Sequence, residues 1–133
     1  MIQEAYVSFE TAKLLKEKGF DSDVRQYYYF DDEDKQEHLC HDDREDNPND
    51  FGEDYYSAPT HQMAMRWLRD KGVYIHVEPY IAINTESYEL KGYKPWITTL
   101  KINSRTKIGS ELYVNFYEEA VEKALKYSLE ELL

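Results

Sequence analysis

The sequence predicts an α+β fold: one domain over residues 1–133, with about three helices packed on a small, mainly antiparallel sheet and a long acidic loop. Three observations lead there. Apolar residues recur at helical spacing in three segments, a period of two takes over from Val73 to Ile83, and the predicted strands are joined by connections too short for crossover helices. At 133 residues, 41% hydrophobic and 15% aromatic, the chain can bury a core without disulfides or a structural metal, although 32% of it is charged.

The first helix is announced by Ser8, whose hydroxyl can cap the first turn, with Glu10 placed to suit the helix dipole. Gly19 can take a left-handed conformation and end it, Phe20 can fold back onto the helix, and Phe9, Ala12 and Leu15 are its inward residues. Tyr27 to Phe30 favours a short strand, and Gln36 to His41 can pair back with it. Asp42 to Asp54 combines turn formers with like charges and has almost nothing apolar, so a solvated, mobile loop is expected. A second helix opens at SAPT with Pro59 in its first turn and ends near Gly72; Met63, Ala64, Trp67 and Leu68 form its inward stripe.

Along Val73 to Ile83, residues Val73, Ile75, Val77 and Ile81 are expected on one side, with Tyr74, His76, Glu78 and Tyr80 on the other. Pro79 cannot donate to a ladder, which argues for an edge strand or a bulge. Trp96 to Asn103 reads as a further strand, and Leu112 to Val114 as a short third one. The last helix covers Tyr117 to Leu132 with Asn115 as its cap; Ala120, Val121, Ala124, Leu125, Leu129 and Leu132 form its apolar stripe.

The net charge of −11 is concentrated. Asp31 to Asp54 holds twelve acids against two bases, leaving fifteen acids and fourteen bases elsewhere. Direct binding to a nucleic-acid backbone is disfavoured, because phosphate contacts need clustered Lys and Arg. The single cysteine, Cys40, excludes an intramolecular disulfide and suits a reducing compartment. No run of about 18 apolar residues exists, and MIQEAYVSFE lacks the basic and apolar regions of a signal peptide, so a cytoplasmic location away from membranes is expected.

Three segments, YVSFETAKLLKEKGF, YSAPTHQMAMRWLRDKG and YEEAVEKALKYSLEEL, resemble a recurrent group of small uncharacterised proteins of phages and mobile elements of Bacteroides and related gut bacteria. The resemblance covers about half of the chain. It implies a bacterial or phage cytoplasmic setting and supports the three-helix framework, and it brings no catalytic residues.

Catalytic motifs are few. HLCH (His38, Cys40, His41) with Asp42, Asp43 and His61 offers transition-metal ligand types, but in an extended segment His38 and Cys40 share a face while His41 points away. An EF-hand register starting at Asp32 would place Glu37 where the loop needs glycine, which excludes that motif. His76 and Glu78 could supply an acid and a base, yet strand alternation alone explains their pairing, and no GxSxG, HExxH or phosphate loop accompanies them. No cofactor is implied.

Thirteen tyrosines are about three times the number this length would carry on average. Tyr27 to Tyr29, Tyr55 and Tyr56 flank the acidic segment, and tyrosine suits wet interfaces. The expected function is therefore non-enzymatic: a surface of Tyr28, Asp31, Asp32, Asp34, Asp42, Asp43, Tyr55 and Tyr56 that binds a basic protein partner. The alternatives are a small metal-dependent protein using His38, Cys40, His41 and His61, or an acidic mimic of nucleic acid. The sequence also allows a homodimer through a tyrosine-rich face or an edge strand.

Overall fold

The computed structural model describes residues 3–100, the backbone of 104–107, and 113–133. The fold is α+β, and the described residues form three α-helices and two antiparallel sheets of three strands each. In chain order the elements are α1 (Phe9–Glu17), β1 (Val24–Asp31), β2 (Gln36–Asp46), β3 (Tyr55–Ser57), α2 (His61–Asp70), β4 (Val73–Ile83), β5 (Tyr88–Thr99), β6 (Ser104–Lys107) and α3 (Tyr117–Tyr127). A single sheet is expected from the sequence. The chain instead builds one sheet in each of two compact units, Met1–Ala64 with Leu133 and Met65–Leu132.

In the first unit, α1 begins and ends as its sequence dictates. The Ser8 hydroxyl accepts from the Thr11 amide at 3.2 Å. At the other end Phe20 N–H donates to Leu15 C=O and Gly19 N–H to Lys16 C=O, the paired bonds of a Schellman motif, with Gly19 at φ 89° and Phe20 buried. Ala12 and Leu15 are fully buried beneath it.

The sheet order is β2-β1-β3. The loop expected over Asp42–Asp54 is instead strand through Asp46, followed by a 3-10 turn at Pro48–Asp50. Like charges disfavour a core but not a ladder: β2 bonds along β1 from Asp31↔Gln36 to Val24↔Asp46, and its side chains stay largely in water, where repulsion is screened. A register break between Val24 and Gln26 absorbs the extra residues of β2.

Helix α2 starts at His61 rather than within SAPT. Thr60 is its cap, its hydroxyl accepting from Met63 N–H at 3.2 Å, while Pro59 precedes the helix and gives its carbonyl to Val7 N–H. Met63, expected inside, is exposed and projects from the other side of the helical wheel; Ala64, Trp67 and Leu68 are buried as expected, together with His61 and Met65. Gly72, at φ 85°, follows the helix end as expected.

In the second unit the order is β4-β5-β6. Strand β5 begins at Tyr88 and ends at Thr99, short of the expected Asn103, which lies outside the described residues. The third strand is β6 rather than Leu112–Val114; Leu112 also lies outside the described residues, and Val114 makes a single bridge to Tyr93. Helix α3 follows Phe116, which makes no side-chain capping bond, so Asn115 is not its cap. The helix packs on β5 and β4, burying Ala120, Val121, Ala124 and Leu125, and a π-helical stretch, Ser128–Leu132, continues it.

The alternation expected along β4 holds to Val77 and then inverts: Glu78 and Tyr80 are half-buried while Ile81 is exposed. The reason is where cover ends. Tyr117, at the start of α3, meets Tyr93 edge-on at 5.7 Å, and Tyr93 pairs with Pro79, so the helix covers that side no further. On the opposite side Tyr113 stacks on Tyr80 at 4.9 Å and the Trp96 indole N–H donates to Glu78 at 2.6 Å.

Tyr113 has room because position 92 lacks a side chain. A Cβ on Gly92 would run into the Val114 carbonyl and the Tyr113 ring. Gly92→Ala is expected to lower stability by about 1–3 kcal/mol through overpacking against backbone, read by urea denaturation.

Candidate functional site

The site is the outer face of the β2-β1-β3 sheet. Directly paired residues share a face, so Tyr29 stands in one row between His38 and Tyr55, and Tyr27 in the next between Cys40 and Ser57. Tyr29 and Tyr55 rings lie 5.0 Å apart, Tyr27 and Tyr55 6.0 Å. Phe51, from the segment after the 3-10 turn, extends the cluster at 6.0 Å from Tyr27 and 5.7 Å from Tyr55, and is 45% exposed.

The opposite face is structural. There Tyr28 lies between Leu39 and Tyr56, its hydroxyl donates to Val7 C=O at 2.7 Å, and Phe9 of α1 packs against Tyr28, Phe30 and Tyr56 with centroids 5.3 to 6.1 Å away. The Lys16 ammonium sits over the Tyr56 ring and donates to Gly52 C=O at 2.6 Å and Tyr55 C=O at 2.8 Å. Burial lowers the Lys16 pKa, against the opposing pull of Glu53, Asp54 and Asp50. This lysine ties the acidic loop to α1.

Carboxylates border the outer tyrosines. The Tyr29 hydroxyl is held above its ordinary pKa by burial and then by Asp31, Tyr55, Asp54 and Asp32; Tyr27 is raised by burial and then by Cys40, Asp42 and Tyr55. Tyr56 is raised too, by burial and then Asp54, Glu53 and Asp32. Asp31 Oδ1 accepts from Glu33 N–H, Asp34 Oδ1 from Gln36 N–H and Asp42 Oδ1 from Arg44 N–H, which fixes these side chains to their own turns. For Asp34, desolvation pushes the pKa up but is outweighed by the Gln36 amide and the His38 ring at 2.8 Å, so the net shift is downward.

Of the residues expected at the surface, Asp31, Asp32, Asp34, Asp42 and Tyr55 gather around this face. Asp43 projects fully into water beside His41, 3.9 Å away. Tyr28 and Tyr56 belong to the inner face, whereas Tyr27, Tyr29 and Phe51 take their place outside. Strand parity would have separated the tyrosines; Phe51 carries no signal in a segment that reads as loop.

The metal candidates do not come together, and His38, Cys40 and His41 take the faces that their spacing in an extended segment implies. His38 and Cys40 share the outer face, His41 faces the other way, and His61 is buried in the first turn of α2. Among the described residues, the one trio with ligand atoms mutually within 4.8 Å is Asp31, Asp34 and His38, an exposed group at the β1–β2 turn. In the other unit, His76 lies 4.0 Å from Glu78, whose carboxylate is already engaged by Trp96.

The tyrosine shifts set an alkaline limit. Their folded pKa values lie above the ordinary 10.0, so the folded state holds more protons than the unfolded one as pH rises past that value. Their contribution is complete below about pH 10 and is lost as pH climbs through the folded values. Thermal melts are expected to fall above about pH 10, and to fall less in Tyr27→Phe/Tyr29→Phe; identical alkaline slopes would contradict the assignment.

No helix among the described residues is long and apolar enough to cross a membrane. Compared with protein families, with curated proteins and with solved structures, the chain matches none.

Proposed function

We propose that this chain is a non-enzymatic binding protein that engages a basic protein partner through the outer face of its first sheet, with Tyr27, Tyr29, Tyr55 and Phe51 as the aromatic floor and Asp31, Asp32, Asp34 and Asp42 as the charged border. The observation that carries the reading is where the charge lies. Met1–Ala64 has seventeen acids and six bases, which is the whole net charge of −11, and Met65–Leu132 has ten of each. Acids beside a partly exposed aromatic floor give long-range attraction and a short-range surface to bury. The proposed setting, a cytoplasmic accessory protein of a phage or mobile element of Bacteroides or related bacteria, rests on the resemblance of three segments.

A narrower form, a protein that mimics nucleic acid, gains from β2. Mimicry needs charges at fixed spacing, and in β2 the strand sets the alternate acids Asp43 and Glu45 roughly 7 Å apart, about the distance between neighbouring phosphates of one DNA strand. Competition between DNA and this chain for the same partner separates mimic from ordinary ligand.

The test is capture of a partner from bacterial lysate at low and moderate salt, beside a variant with Asp31, Asp32, Asp34, Asp42 and Asp43 changed to Asn. Point changes are required because replacing residues 31–54 would delete β2. A partner held by the native chain and lost by the variant supports the proposal; equal capture by both contradicts it.

A further inference from the structure

Among the described residues, nothing covers part of an apolar face of the second unit. Along one side of the β4–β5 hairpin, cross-strand pairs run Ile75↔Ile97, Val77↔Pro95, Pro79↔Tyr93, Ile81↔Leu90 and Ile83↔Tyr88. Cover by α3 stops at the Tyr93–Tyr117 contact. Beyond it the face continues apolar and open: Ile81 is 45% exposed, Leu90 53%, Ile83 73% and Tyr88 78%.

We propose that a second copy of this chain covers this half of the hairpin, the two copies meeting face to face across a two-fold axis. Size is the first argument. With the exposed Tyr117 beside them, the four residues offer on the order of 500 Å² per copy, so a symmetric pair that buries all of it hides about 1,000 Å², the lower bound for a specific interface. A two-fold axis achieves this with one patch, each copy supplying the same residues.

Charge selects a like partner over a charged one. Met65–Leu132 balances ten acids with ten bases, and on the hairpin itself Glu89 and Lys91 neutralise each other at 3.1 Å. Among the described residues of the hairpin, Glu78, Glu86 and Glu89 against Lys91 and Lys94 leave a net charge of −1, so the face offers a charged protein little attraction and an identical copy little repulsion. The surplus of −11 belongs to the other unit.

The geometry also distinguishes face packing from edge pairing. Tyr93 donates to and accepts from Val114, so its backbone groups point away from β4. Its partner Pro79 therefore sits in a non-hydrogen-bonded pair, with its backbone nitrogen directed to the open edge of β4. Proline has no hydrogen to offer there. A strand added along that edge would lose a bond near the middle of β4, whereas packing through the side-chain face loses none.

The experiment is sedimentation velocity on the full chain across about 1 to 500 µM, at low and high salt, beside Ile83→Asp/Leu90→Asp. The native chain is expected to pass from 15.9 kDa to about twice that mass, with a midpoint that salt does not raise. The variant is expected to dimerise at least about a hundredfold more weakly, because each interface would bury unpaired carboxylates. Both changed residues are exposed in the single copy, so its melting temperature at low concentration should match the native one. A second readout needs no variant: the native melting temperature should rise with protein concentration. A native chain that stays monomeric throughout overturns the proposal, as does a dimer that the variant leaves intact. Since this face and the acidic face lie in different units, neither outcome bears on partner binding.

Discussion

Phe9→Ala is expected to lower unfolding free energy by about 2–4 kcal/mol, measured by urea denaturation. The ring meets Tyr28, Phe30 and Tyr56 within 6.1 Å and so joins α1 to two strands of the first sheet. Full burial would place the cost near the top of the range for Phe truncation; Phe9 is half-buried, which lowers it. Ring-to-ring contacts beyond simple area burial act in the other direction. Phe9→Leu should recover at least half of the loss, because it keeps the apolar volume and forfeits only the aromatic geometry. A loss below about 0.5 kcal/mol for Phe9→Ala would mean that α1 does not support the sheet through this ring.

Changing Tyr29 and Tyr55 together to Ala should weaken partner binding by about 2–4 kcal/mol, roughly 30- to 1,000-fold, measured by calorimetry with the captured partner. Their rings are 5.0 Å apart at the centre of the outer face, where truncation removes the most buried area. Tyr28 is the control. Tyr28→Phe deletes the bond to Val7 and should cost about 0.5–1.5 kcal/mol of stability while leaving affinity within about twofold, since its ring faces α1. Equal effects of inner and outer tyrosines on affinity would contradict the assignment of faces.

These controls exist because of what the sequence concealed as much as what it displayed. The ends of α1 are legible since Ser8, Gly19 and Phe20 act within a few residues of one another, and capping is local chemistry. Pro79 on an edge strand is legible for the same reason: a missing donor restricts the positions a strand can take. The extent of β2 is not legible, because its stability comes from β1, 15 or more residues away near Gln26, while its own side chains argue for a loop. The exposure of Met63 is not legible either, because which methionine faces inward depends on where α2 starts, and a shift of a residue or two turns the apolar stripe from Met63 to Met65.

The site was legible in composition and hidden in parity. Twelve acids and five nearby tyrosines announce an acidic, aromatic surface, yet only pairing shows that Tyr27, Tyr29 and Tyr55 share one face and Tyr28 and Tyr56 the other. The end of cover on β4 was likewise invisible, because it depends on where α3 begins, and Phe116 precedes that helix without a capping side chain to mark it.

The most direct test of the binding account is the association rate of the captured partner at several ionic strengths, for the native chain and for the variant with Asp31, Asp32, Asp34, Asp42 and Asp43 changed to Asn. The account predicts association about 10- to 100-fold slower for the variant at low salt, with the two rates converging as salt screens the native field. Dissociation should change little, because these carboxylates border the face and the aromatic floor holds the complex. Equal association rates at low salt, or a salt dependence that survives the five substitutions, would contradict the acidic, tyrosine-bordered face as the binding surface.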